Sequence, residues 1–217
     1  MISTRDLSAL PEGAQLKRLM QSMATLDAIL NREWDGRYYS FNNKWSADES
    51  MGSMRDGSGD EFFCLFNSEG AILKGFGHEM GMTTFRAQPP KIWPGIYDSV
   101  PFEFAAFLKE PAFSISDVTF CIWRLNTDLV WHCGKIDFPS GKDPDGSADL
   151  LKMLDGNPET YHGWAEEYYE REVNRSAVEK FYAHSPLTAP LVKLLNRDVT
   201  LKEIQEDIDE IGYPVQK

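Results

Sequence analysis

The spacing of apolar residues changes character twice along this chain, and the order of the changes limits what it can fold into. Leu16, Leu19, Met20, Met23, Leu26, Ile29 and Leu30 recur at intervals of three and four. That spacing predicts an amphipathic helix over 14–31. Short apolar and β-branched runs then take over. Residues 37–45 read as extended, with Tyr39 and Phe41 on one face. Residues 61–66 and 71–76 read as a hairpin across Asn67-Ser-Glu-Gly70, whose glycine accepts a positive φ. A second hairpin joins 118–125 to 129–138 across 126–128. In 118–125 both alternating faces are apolar, the mark of a strand covered on two sides. Helical spacing returns only after Pro139. Segments 148–154, 158–168, 176–182 and 188–195 are expected helices, the first capped by Ser147 and stopped by Gly156. Thr200-Leu-Lys-Glu203 is a capping box opening a last helix to Ile211.

No strand–helix–strand alternation calls for a parallel sheet, so the expected class is α+β: an antiparallel sheet of at least four strands, an N-terminal helix packed on it and a helical C-terminal third. One domain over 1–217 suits the length. Residues 1–142 would form helix plus sheet, and 143–217 an acidic helical extension packed on them, because its helices are too short to stand alone. Three segments resist this scheme. Residues 46–60 are polar and rich in Gly and Ser, and read as a surface loop. Residues 75–101 lose all periodicity among glycines and prolines, which marks a functional or mobile loop. A short helix with Phe102, Phe104, Ala105 and Leu108 on one side is expected over 99–109.

Composition narrows the function classes. The chain has 22 Lys+Arg against 34 Asp+Glu, a formal net charge of −12, which repels phosphate backbones and argues against nucleic-acid binding. No apolar stretch is long enough to span a membrane, and the first residues lack a secretory pattern. Cys64, Cys121 and Cys133 are too few and scattered for a disulfide framework, which suits a reducing cytoplasm.

Motifs for chemistry break at required positions. His78-Glu79 lacks the second histidine of a zinc-protease pair, since position 82 is Met. Asp143-Pro-Asp145-Gly-Ser147 has the spacing of an aspartate-nucleophile phosphatase loop, but a polar turn precedes it instead of a buried strand. It fails as a calcium loop because Ala148 and Leu154 occupy the glycine and glutamate positions. Glu159 and His162 sit one turn apart with Glu166 and Glu170 beyond, but without a second such pair they read as a solvated helix face. Neither a metal nor a cofactor is expected.

Charge distribution says more. Residues 143–172 carry nine acids and two bases, net −7, and 198–210 carry six acids and one base, net −5. These two segments account for the whole formal charge. An acidic helical face of this kind steers a basic protein partner. Asp143, Asp145, Glu159, Glu166, Glu167 and Glu170 are its candidate contact residues. With no nucleophile paired to a base, the expected function is a non-enzymatic protein-binding module. A leading helix, an antiparallel sheet and acidic helices resemble, in outline, the bacterial immunity proteins that neutralise toxins, which implies an inhibitor. The alternative is a small enzyme or ligand-binding protein whose pocket is formed by 75–101, with His78, Arg86, Trp93 and Tyr97 as contacts and His132 joining from the second hairpin.

Overall fold

The computed structural model describes residues 1–216. After an N-terminal turn comes α1 (Gly13–Leu30), then six strands, β1 (Tyr39–Asn42), β2 (Ser50–Arg55), β3 (Glu61–Phe66), β4 (Gly70–Phe76), β5 (Phe120–Leu125) and β6 (His132–Cys133). Every strand pairs antiparallel with the next in sequence, so the sheet is a meander in the order β1 to β6. Five helices follow: α2 (Ser147–Leu150), α3 (Pro158–Tyr168), α4 (Arg175–Tyr182), α5 (Ala189–Leu195) and α6 (Gln205–Ile211). The fold is therefore mixed α+β, with an N-terminal helix and a helical C-terminal third. Among the described residues no helix is long and apolar enough to cross a membrane.

Both faces of the sheet are covered, which is why its central strands read as unbroken apolar runs. Phe62, Cys64, Phe66, Leu73, Phe120 and Ile122 face α1 and the C-terminal helices in one core. Phe63, Leu65, Ile72, Cys121 and Trp123 face the other way, into a second core closed by Met82, Ile96, Phe104, Phe107 and Phe113. The second cover has almost no regular secondary structure. Buried Lys74 fastens it to the sheet: its Nζ donates to the carbonyls of Asp117 (2.6 Å) and Ser114 (3.4 Å) and lies 3.2 Å from Glu61 Oε1.

Several expectations need correction. The segment 46–60 is not all loop, since β2 runs through it with nearly every residue buried. Its glycine and serines serve packing. A Cβ on Gly52 would lie 2.2 Å from Met20 Cε, so the Met20 side chain of α1 packs directly on this glycine, and Ser53 shares a 2.7 Å hydrogen bond with Ser40. Residues 99–109 form two 3-10 turns, Phe102–Phe104 and Phe107–Lys109. Phe104 and Phe107, three apart, reach the sheet together, whereas Phe102 is 88% exposed. In 129–138 only His132–Cys133 joins the ladder. Leu129 and Val130 are exposed, and Gly134 packs backbone to backbone on Gly95. Ser147 does not cap the helix after it. Its hydroxyl turns to Asp145, and the Asp143 carboxylate accepts from the amides of Ala148 and Asp149 instead. The 200–203 box forms its reciprocal bonds within a turn, and α6 begins at Gln205.

Candidate functional site

The residues of the 75–101 reading take their polar partners separately. His78 is held by Asp60, whose Oδ1 accepts from the His78 amide (2.8 Å) and lies 2.6 Å from Nδ1. That hydrogen bond raises the pKa of His78. Arg86 donates to the carbonyls of Thr83 and Lys91 and lies over the Trp93 ring, 4.6 Å from its centroid. Trp93 Nε1 donates to the Asp137 carbonyl, and Tyr97 Oη donates to that of Ile115. His132 lies 3.5 Å from Asp128. Arg86 and Trp93 meet, while His78, Tyr97 and His132 keep separate partners. Among the described residues no hydrogen bond or ion pair joins His78, Arg86 and His132. Met82 and Ile96 are fully buried, and Ile92, Trp93, Tyr97 and Val100 pack beside them, so much of the segment is a cover for the second face of the sheet.

The candidate acidic face divides differently. Asp145 is 1% exposed, which removes it from any docking surface. Its carboxylate accepts from Thr4 Oγ1 (2.5 Å), from Ser147 Oγ (2.8 Å) and from the Ser147 amide, pinning the N-terminal turn to the start of α2. Asp143 is half-buried in its capping role, and burial raises its pKa. Glu166 is also half-buried and accepts from the Val173 amide. Glu159 is exposed but paired with Arg175 at 2.5 Å. Glu167 and Glu170 are exposed, and among the described residues neither has an ion-pair partner.

Beside them lies an arrangement that residue spacing did not single out. Tyr38, at the entry to β1, stands 4.8 Å from Trp164 of α3, centroid to centroid, and Trp164 stacks on Tyr168 at 4.9 Å and 16°. Tyr38 and Trp164 wall a cleft of about 170 Å³ with Asp56, Asp60, Asp149 and Lys152 at its rim. Asp56 is oriented by the amides of Ser58, Gly59 and Asp60, all donating to its Oδ1. Asp60 is oriented by His78. Three carboxylates and one ammonium around aromatic walls make a place where a guanidinium or alkylammonium group gains both charge pairing and cation–π contact.

Buried Asp27 of α1 fixes the geometry of this cleft. Its Oδ2 accepts from the amides of Tyr38 (3.0 Å) and Tyr39 (2.7 Å), and Tyr161 Oη of α3 donates to its Oδ1 at 2.5 Å. One carboxylate thus ties together the helix, the strand entry and the tail helix that supply the walls. Burial pushes its pKa up to about 6, against the downward pull of these donors.

Two local features of the sequence bear on this cleft, the alternation that sets Tyr38 opposite Tyr39 and the polar Asp56–Asp60 loop. Neither says that α3 comes to lie beside them. No protein-family model matches the chain, and no match is found among curated proteins or solved structures.

Proposed function

We propose that this protein is a binding module for a basic protein partner, and that the Tyr38–Trp164 cleft receives a cationic side chain of that partner. The observation that carries the reading is the juxtaposition of aromatic walls with Asp56, Asp60 and Asp149, with the exposed Glu167 one turn beyond Trp164 on α3 and Glu170 just past its end. The aromatic cleft supplies a contact, and the surrounding acids supply the long-range field. The tail reaches this place from two sides. Tyr38 packs on α3, while neighbouring Arg37 pairs with Asp207 of α6 at 2.5 Å. Inhibition by occlusion, the immunity mode of action, fits a module that offers a surface and an anchoring cleft. A cytoplasmic setting without nucleic acid goes with the same reading.

The test uses a short arginine-containing peptide and its citrulline counterpart, which keeps the shape and loses the charge. The arginine peptide should shift the Trp164 indole resonance saturably. The citrulline peptide should bind at least about tenfold more weakly, as expected when a charge-assisted bond is lost. Asp149→Asn should weaken the arginine peptide alone. Equal binding of the two peptides, or no saturable shift at about 10 mM, rejects the reading.

A further inference from the structure

At the opposite end of β1 and β2 from the Tyr38–Trp164 cleft, a groove of about 470 Å³ opens between the first turns of α1 and the rim of the sheet. Gly13, Ala14 and Lys17 form one wall, and Asp48, Glu49 and Ser50 belong to the wall facing it. The first turn of α1 has no side-chain cap from Glu12 and no acidic residue of its own. Gly13 and Ala14 of that turn line the groove, and among the described residues its amides have no side-chain acceptor, at the positive end of an 18-residue helix. Ser50 provides an independent observation. It is 2% exposed, and its hydroxyl has no hydrogen-bond partner. Strand alternation sets its direction. Gly52 faces Met20 of α1, and Met54 lies in the same core, so Ser50 also faces α1. A buried hydroxyl without a partner is costly unless something else completes it. Lys17, one turn into α1, has no ion pair among the described residues, and partial burial lowers its pKa.

Helix amides, a hydroxyl and an ammonium therefore lack an acceptor in one groove, and a carboxylate is a ligand group that answers all three. A simple anion would also meet Asp48 and Glu49. A ligand carrying an ammonium group beside its carboxylate turns that repulsion into attraction. Ala47, Phe66 and Gly70, with the polar Asn43, Asn67, Ser68 and Asn126, line the remaining space, where a small side chain can rest. We propose that this groove binds a small zwitterion of the amino-acid class, its carboxylate at the amino end of α1 near Lys17 and Ser50, and its ammonium group toward Asp48 and Glu49.

Titrating the ¹⁵N-labelled full chain with an equimolar mixture of natural L-amino acids tests this. Saturable shifts are expected at the Gly13, Ala14 and Gly70 amides. The same mixture N-acetylated, or converted to carboxamides, should bind at least about tenfold more weakly, since each loses one charged contact. Lys17→Met should weaken binding by a similar factor. Ser50→Ala should also weaken it and leave the melting temperature unchanged or higher, because it deletes an unpaired buried hydroxyl. The absence of saturable shifts up to about 10 mM overturns the proposal. So does undiminished binding of the N-acetylated mixture, which would make the groove a plain anion site, or wild-type affinity in a folded Lys17→Met protein.

Discussion

At the scale of single residues, Asp27 couples stability to pH. In the unfolded chain its carboxyl titrates near 3.8, and burial pushes it up to about 6 in the folded protein. Between those values the folded state keeps a proton that the unfolded state has released. Its contribution to stability is therefore fully present below about pH 4, is lost as pH rises through about 6, and is flat above that. The loss amounts to about 3 kcal/mol, at roughly 1.36 kcal/mol for each pH unit between the two values. Asp27→Asn should abolish this slope. The amide oxygen can accept from Tyr38 and Tyr39, and the Tyr161 hydroxyl can turn to accept from the amide nitrogen. Urea unfolding of both proteins across pH 4 to about 7 checks this, and a constant stability difference over that window would contradict it. Asp27→Ala should be less stable than Asp27→Asn at every pH, because it strands the buried Tyr39 amide and Tyr161 hydroxyl at about 1–3 kcal/mol each, and the part-buried Tyr38 amide as well. It should also loosen the cleft, since Tyr38 and Tyr161 lose their common anchor.

At the scale of elements, glycines separate packing from propensity. Gly163 lies inside α3 with nothing within 4 Å of a Cβ placed there, so Gly163→Ala should stabilise the protein by about 1 kcal/mol, the difference in helix propensity. Gly134 has the opposite character. A Cβ there would lie 1.8 Å from the Gly95 carbonyl oxygen, which is backbone and cannot swing aside. Gly134→Ala should cost more than about 3 kcal/mol, beyond ordinary overpacking, and detach the 92–100 cover from β6. Thermal melts of the two variants should move in opposite directions. The same contrast explains what was legible from residues alone. α1 and the 61–76 hairpin were, because their signals are local: a 3.6-residue apolar stripe and an Asn67–Gly70 turn between two apolar runs. β2 was not, because Gly52 and Ser53 mimic a loop while answering to Met20 and Ser40, which lie in other elements. Asp145 looked like a surface acid for the same reason, since its partner Thr4 is distant in sequence. The aromatic cleft stayed hidden because Tyr38 and Trp164 are far apart in the chain and only tertiary packing brings them together.

At the scale of the whole molecule, the acidity is divided between two segments while the rest of the chain is neutral. Part of it is absorbed internally. Asp145 is buried, Asp143 and Glu166 bind backbone amides, Asp207 pairs with Arg37, and Glu159 and Glu179 share Arg175. What projects to water around α3 is a smaller set, Glu167, Glu170 and Glu172 among them. An acidic patch of this kind accelerates encounter with a basic protein more than it tightens the complex. The on-rate of a basic partner should therefore fall as salt rises from about 0.01 M to about 0.15 M, because the Debye length shrinks from roughly 30 to 8 Å. Replacing Glu167, Glu170 and Glu172 together with Gln should reproduce much of that fall at low salt and leave the off-rate nearly unchanged. Trp164→Ala should act in the other direction, raising the off-rate with little effect on the on-rate, since it removes a contact and no charge. Stopped-flow association and dissociation at two salt concentrations separate the two roles. If the triple Gln variant associates as fast as the wild type at low salt, the acidic face serves solubility alone, and recognition rests on the cleft.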